Sequence, residues 1–371
     1  VYTDKNAEDI KHYLDCTLRE MEMLAKKPLI AGRKPHFVYF GGGTPSYLSA
    51  KQLTELTDRM KAILPWDEAE EVAFECEPGT LNPGKLSAIK DIGVTRVSLG
   101  IENFDDRILE INGRAHRTKE VFRAYERARA ENFDQINIDL IAGMLEETEQ
   151  NWQKNIERTL ELQPDSITIY QMEIPYNTTI YKDMKSSGAL VAPVADWETK
   201  RRWVKEAFAE LEKNGYTISS GYTAVRDPER TKFIYRDALW GGADLLGLGV
   251  ASFGHMAGVH YQNVTEIDDY DKAIDAGRLP LKRAGNEFQA LCPFHKEKTP
   301  SFHVNSQRQI YHCFGCGAGG DVFGFVMQYE SVDFITAVKI LAQRAGIRLE
   351  VEESDGRGGP DKEVLYRIHE E

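Results

Sequence analysis

HFVYFGGGTPSYLSAKQLTELTDRMKAIL (36–64) sets the frame of the first three quarters of the chain. Five residues of β-rich apolar character run into three consecutive glycines. A helix-period stretch, KQLTELTDRMKAIL, follows. A strand that turns through glycine into an amphipathic helix is one βα unit. Outward from it the same unit recurs. Further strands are predicted at EVAFEC (71–76), TRVSLGI (95–101), QINIDLIAG (135–143), DSITIYQ (165–171) and YTISS (216–220). Helical runs such as DIKHYLDCTLREMEMLA, TKEVFRAYERARA, EQNWQKNIERTLEL and TKRRWVKEAFAELEK lie before and between them. The strands read as near-continuously apolar, the pattern of a parallel sheet covered by helices. Six such units favour a barrel or part-barrel over a short doubly wound sheet.

Parallel α/β folds carry their chemistry at the C-terminal ends of the strands. Gly41, Gly42, Gly43 and Thr44 stand at one such end, Glu75 at a second and Glu102 at a third, with Asp139 inside a fourth strand. Glycines there let the backbone approach a ligand closely. The spacing is that of neither a Walker nor a Rossmann fingerprint, and a plain βα turn accounts for the glycines equally well. Carboxylates on successive strands facing one mouth suit a ligand rich in hydrogen-bond donors.

The 371 residues are 42% hydrophobic and 28% charged, which excludes wholesale disorder. No run of 18 apolar residues is present, so no membrane-spanning helix is expected. No secretory signal opens the sequence, and a cytoplasmic location is expected. A net charge of −13 speaks against a nucleic-acid binder as a whole. Between Lys282 and Arg308, however, Lys282, Arg283, Lys296, Lys298 and Arg308 face only Glu287 and Glu297.

The five cysteines are Cys16, Cys76, Cys292, Cys313 and Cys316. An odd count with three packed near a histidine reads as a reducing compartment and a metal site rather than a disulfide framework. Cys292-Pro-Phe-His295 and Cys313-Phe-Gly-Cys316 form two knuckles separated by 17 residues, a β-hairpin's length. Three thiolates and one imidazole suit Zn²⁺, and four protein ligands close its coordination sphere, so the metal is structural. Gly315 and Gly317 are expected to allow the tight turn around the sulfurs. His303 and His312 read as ordinary hairpin residues, and Phe302 and Phe314 as core of a small domain. Lys296, Lys298 and Arg308 divide evenly between solvated and phosphate-contacting roles. Helices are expected at DVFGFVMQYE and DFITAVKILAQRAG, the latter ending at Gly346, and ESDGRGGPDKE (353–363) reads as a linker.

LCPFHKEKTPSF and IYHCFGCGAGGDVFGFVM resemble the CHC2-type zinc-binding domain of bacterial DNA primases, over about residues 279–371. The resemblance implies a zinc ribbon that engages single-stranded template DNA and helps choose primer start sites, alongside the replicative helicase and primase machinery. It implies Cys292, His295, Cys313 and Cys316 as ligands, and Lys296, Lys298 and Arg308 as DNA contacts. The family's polymerase domain should follow this module, so primer synthesis by this chain alone is not expected.

GGGTPSYLS, FECEPGTLN, RVSLGIENFDDRILEINGRAH, INIDLIAGM and LLGLGVASFGH resemble the radical S-adenosylmethionine (SAM) enzymes similar to oxygen-independent coproporphyrinogen III oxidase, over about residues 1–281. This implies a partial parallel (β/α) barrel in which Gly42, Gly43 and Thr44 hold SAM and Glu75, Arg114 and Asp139 make further contacts. Glu102 stands where the family commonly has glutamine. The family's C-x3-C-x2-C motif for a [4Fe–4S] cluster is expected just before Val1 and is absent from this sequence. The reading is therefore a truncated radical SAM barrel (1–281), a zinc-ribbon domain with C-terminal helices (282–350) and a tail (351–371). The two patterns meet at RLPLKRAG (278–285), where both look alike, which suggests a chimeric or mis-joined reading frame, with a genuine fusion as the alternative. The expected function is a zinc-dependent DNA-binding module of primase type fused to a truncated radical SAM barrel, without the full catalytic activity of either; the alternative is a radical SAM oxidoreductase acting on a tetrapyrrole.

Overall fold

The computed structural model describes residues 6–173, 194–280, 288–290, 292–295, 301–305, 309–330 and 332–345. Lys296, Lys298, Arg308, Gly346, most of the 278–285 junction and the 351–371 tail lie outside them. The chain forms two compact units, Val1–Lys282 and Arg283–Glu371. No helix among the described residues is long and apolar enough to cross a membrane.

In the first unit five strands run parallel: β1 (Phe37–Phe40), β2 (Glu71–Cys76), β3 (Arg96–Glu102), β4 (Gln135–Ala142) and β5 (Ser166–Gln171). Helices α1 (Ala7–Ala25), α2 (Ala50–Ile63), α3 (Pro83–Asp91), α4 (Asp106–Ile111), α5 (Thr118–Ala130), α6 (Glu149–Leu162) and α7 (Trp197–Lys213) accompany them. Their starts are written locally. Asn6 and Ser49 close capping boxes with Asp9 and Gln52, and Thr148 and Asp196 each accept a first-turn N–H.

The sheet order is β1-β2-β3-β4-β5-β7-β6, with free edges at β1 and β6 among the described residues. YTISS (216–220) runs in the same direction as β5 but pairs with no parallel neighbour among the described residues, because an antiparallel strand lies between them. Only β6 (Thr217–Ile218) forms, antiparallel to β7 (Thr223–Val225), which the sequence reading missed. Residues 219–222 are too few for a crossover, so the chain can only turn back as a hairpin.

The strands are also less uniformly apolar than they read. Val72, Phe74, Val97, Leu99, Ile136, Ile138, Ile167 and Ile169 pack into one core with Leu53, Leu86, Val121, Trp152 and Trp203 of the covering helices. Alternate residues are polar: Glu71 and Glu75, Arg96 and Ser98, Asn137 and Asp139, Ser166 and Thr168. Successive side chains of a strand point to opposite faces. The helices therefore take the apolar face, and the other face is free to carry chemistry.

The unit is completed by α8 (Ile234–Trp240), the hairpin β8 (Phe253–Met256) and β9 (Val259–Gln262), and α9 (Ile267–Asp275). Glu20 of α1 ties this end to the start. Fully buried, it accepts hydrogen bonds from Gly249 N (2.8 Å), Asn263 Nδ2 (2.6 Å) and Tyr270 Oη (2.6 Å). Glu20→Gln turns an amide N–H₂ toward these donors and is expected to cost about 1–3 kcal/mol. Urea unfolding of this unit checks it; an unchanged midpoint would contradict the assignment.

The second unit is a four-stranded antiparallel sheet, β10 (Phe288–Ala290), β11 (Phe302–Asn305), β12 (Ile310–Cys313) and β13 (Gly319–Asp321), followed by α10 (Val322–Tyr329) and α11 (Phe334–Ala345). Asp321 caps α10 through Gly324 N at 2.8 Å. Its core is a knot of rings, Phe294, Phe302, Tyr311 and Phe325, with centroids 5.3–6.1 Å apart.

Candidate metal centre and ligand mouth

In the second unit the donor atoms of Cys292, His295, Cys313 and Cys316 all lie within 4.8 Å of one another. Two edges of this polyhedron are Cys292 Sγ to Cys316 Sγ and Cys313 Sγ to His295 Nδ1, each 3.7 Å. Zn–S bonds of about 2.3 Å at tetrahedral angles put sulfurs about 3.8 Å apart, so the four side chains fit a zinc ion. Backbone N–H groups support the sulfurs: Phe294 N donates to Cys292 Sγ and Cys316 N to Cys313 Sγ, both at 3.4 Å. These knuckle bonds hold the thiolate orientation.

The two glycines act differently. Gly317 takes the left-handed backbone (φ +76°) that ends the knuckle. Gly315 is needed for space: a Cβ there would lie 2.6 Å from His295 Nε2 and 2.7 Å from Ser301 Oγ. Gly315→Ala is therefore expected to displace the imidazole and weaken zinc retention by about tenfold or more. Competition with a chromogenic chelator measures it, and wild-type retention would contradict the packing argument.

Phe314 is not core. It is 71% exposed, because the turn between the two cysteine ligands points it away from the ring knot, which Phe302 joins. His303 and His312, paired across β11 and β12, are not in the ligand set and stand edge-on to Phe314 at 5.0 and 4.7 Å.

In the first unit the polar sheet face builds a second centre. Tyr39 donates its hydroxyl to the Glu75 carboxylate. Asp139 accepts from Ser98 Oγ (2.8 Å) and Asn137 Nδ2 (2.9 Å), and Asn137 Oδ1 accepts from Ser166 and Thr168. Arg114 is ion-paired with Glu102, whose backbone is left-handed (φ +66°). Burial raises the Asp139 carboxyl to about 6, with Glu75 adding to the shift against its hydrogen bonds and Arg96. Burial likewise raises Glu102 to about 7 despite Arg114, with Asp139 and Glu75 pushing the same way. The structure thus gathers Glu75, Glu102, Asp139 and Arg114 into one electrostatic group.

Gly41 leaves no room for a side chain, since a Cβ would meet the Tyr39 ring at 2.3 Å and Glu75 Oε1 at 2.9 Å. Gly42 and Gly43 are left-handed (φ +73° and +115°), and Thr44 precedes the short turn Pro45–Tyr47. The glycine turn is therefore pressed against the acidic group. Sequence reasoning missed Tyr39, Ser98 and Asn137; the alternation within β3 and β4 was the signal for the last two.

Val1–Lys282 contains two cysteines, Cys16 and Cys76, both buried. A [4Fe–4S] cluster that binds SAM takes three thiolates. The residues present do not fit that group, and no radical step follows from them.

Residues 8–159 match the radical SAM superfamily, and residues 260–357 match the CHC2 zinc finger. The chain is similar to the heme chaperone HemW of Bacillus subtilis, 30% identical over 249 residues, which are 66% of this chain and 64% of that protein. It is similar to the DNA primase of Pseudomonas aeruginosa, 48% identical over 108 residues, which are 28% of this chain and 16% of that protein. It therefore spans less than two thirds of either relative. Among solved structures, coproporphyrinogen III oxidase (HemN) from Escherichia coli, a radical SAM enzyme, shares the fold with a TM-score of 0.65 at 23% identity, covering 76% of this chain and 65% of that one. The N-terminal part of the chain is a radical SAM domain with homology to HemN and HemW, and the C-terminal part is a CHC2 zinc ribbon with homology to DNA primase.

Proposed function

We propose that the C-terminal unit is a structural zinc ribbon that binds single-stranded DNA in the manner of a primase template contact. The convergence of Cys292, His295, Cys313 and Cys316 on one centre carries this reading. Zinc there takes no part in chemistry; it fixes the two knuckles and the sheet they clasp. Phe314, exposed between His303 and His312, offers bases an aromatic face, while Lys296, Lys298 and Arg308 follow the phosphates. Fluorescence anisotropy of a labelled single strand tests it. Affinity should fall steeply between low and moderate salt, because releasing the strand's counterions on binding gains less as the bulk salt rises. Binding that is absent, or indifferent to salt, would reject it.

The N-terminal domain is proposed to bind SAM at the glycine turn, through Gly42, Gly43 and Thr44 with Glu75, Arg114 and Asp139. The observation favouring it is the acidic group pressed against that turn, which matches the cationic ammonium and sulfonium of the ligand. A radical SAM oxidoreductase acting on a tetrapyrrole is the second reading, favoured by the likeness to HemW and HemN and opposed by the want of cluster thiolates among residues 1–282.

A further inference from the structure

Arg96, the first residue of β3, is 2% exposed, yet no carboxylate pairs with it among the described residues. Its Nη1 donates to Gln135 Oε1 (3.0 Å) and Ser166 Oγ (3.1 Å). Nε and Nη2 have no acceptor among the described residues, and the guanidinium lies 4.4 Å over the Phe233 ring. The nearby Glu71 carboxylate is spent on the backbone N–H groups of Ile234 (3.2 Å) and Tyr235 (3.0 Å), and no ion pair joins it to Arg96. Glu71 and Asp139 act on the guanidinium only through space, and a buried guanidinium without a directly paired anion is costly.

Arg96 lines a cavity of about 270 Å³, together with Ser166, Thr223, Lys232 and Arg236. This is far more than the ~30 Å³ share of one liquid water. The single lining carboxylate among the described residues, Asp237, is taken by Arg236 at 2.7 Å. Lys232 has no ion pair among the described residues. The wall thus holds a net excess of cations, with the Ser166 and Thr223 hydroxyls beside them. The cavity opens at the N-terminal ends of β3 and β5, whereas Glu75 and Asp139 lie toward the C-terminal ends of β2 and β4. Between the two stand aromatic rings, with Tyr39 stacked on Tyr235 at 4.1 Å and Phe233 packed against Tyr235 at 5.8 Å.

We propose that this cavity is a second ligand site, distinct from the glycine-turn mouth, that takes a small oxoanion of about two negative charges on Arg96, Arg236 and Lys232. Guanidinium groups match the paired oxygens of carboxylates and phosphates alike. The site stands whether or not the mouth binds SAM.

Equilibrium dialysis of the full zinc-loaded chain in dilute chloride buffer tests it, with radiolabelled inorganic phosphate in one arm and radiolabelled succinate in the other. Saturable binding of about one equivalent is expected in at least one arm. Phosphate alone would assign a phosphoryl group, and succinate alone a dicarboxylate. Lys232→Ala and Arg236→Gln should each weaken binding, and the double variant should weaken it about tenfold or more. Lys232→Ala alters one exposed side chain and keeps the test valid if the Arg236 change disturbs folding. Cys313→Ser should bind as wild type does, which separates this site from the zinc unit. No saturable binding in either arm, or affinity unmoved by Lys232→Ala and the double variant, would overturn the proposal.

Discussion

Cys313→Ser is expected to release the zinc and unfold the C-terminal unit while the N-terminal unit melts as before. Cys313 is fully buried, and its sulfur sits where the site's supports meet. Cys316 N donates to it at 3.4 Å, Ser301 Oγ is 3.3 Å away, and His295 Nδ1 is 3.7 Å away. Among the described residues the apolar cluster of this unit is small, the knot of Phe294, Phe302, Tyr311 and Phe325 with a few apolar neighbours. Cores this small do not hold a fold by themselves. A structural zinc contributes on the order of 10 kcal/mol in comparable small sites, and most of that is folding free energy. Calorimetry should show two transitions in the wild type and, in the variant, only that of the N-terminal unit. A variant that keeps its zinc, or in which both transitions move together, would contradict the account.

Asp139→Asn should weaken SAM binding by about tenfold or more, and yet stabilise the ligand-free N-terminal unit at neutral pH. The affinity follows from losing a charge-assisted contact worth about 1.5–3 kcal/mol. The stability follows from linkage. Asp139 titrates at about 6 in the folded protein, against 3.8 for an ordinary aspartate. Below both values the carboxyl is protonated in either state and costs nothing. As pH rises between them the unfolded chain releases its proton first, so folded stability falls, and above the folded value the loss is complete. Asparagine is neutral throughout; its carbonyl still accepts the Ser98 hydroxyl, while its amide faces the Asn137 Nδ2 donor, a pH-independent cost that offsets part of the gain. The gap between variant and wild type should therefore open above the lower value and level off above the higher. Glu102 and Glu147, both raised to about 7 by burial, push the wild type the same way. Melting temperature against pH, beside calorimetric SAM titration, reads both effects. A variant no more stable than wild type above pH 7, or with unchanged SAM affinity, would remove Asp139 from the site.

The metal centre was the most legible part, because its ligands come as two short knuckles whose geometry is local. Both supporting glycines were visible, although the reason for Gly315 is the imidazole of His295, twenty residues earlier in the chain, which spacing alone does not reveal. The βα rhythm located β1 to β5 to within a residue or two, since parallel strands and their helices differ in period. It drew β6 too long and missed β7, where two- and three-residue strands carry too little pattern. Reading β3 and β4 as apolar runs hid Ser98, Asn137 and Arg96, whose alternation with Val97, Leu99 and Ile138 marks a sheet with one polar face. Phe314 was misread because a ring between two metal ligands looks like filling when the direction of the turn is unknown. The cation-rich cavity had no sequence signal, because Arg96, Ser166, Lys232 and Arg236 meet only through the fold.

X-ray absorption at the zinc edge of the purified chain tests the central claim most directly. One zinc per chain should appear, with three sulfurs at about 2.3 Å and one nitrogen at about 2.0–2.1 Å. A chain without zinc, or a zinc shell with fewer than three sulfurs, would contradict it.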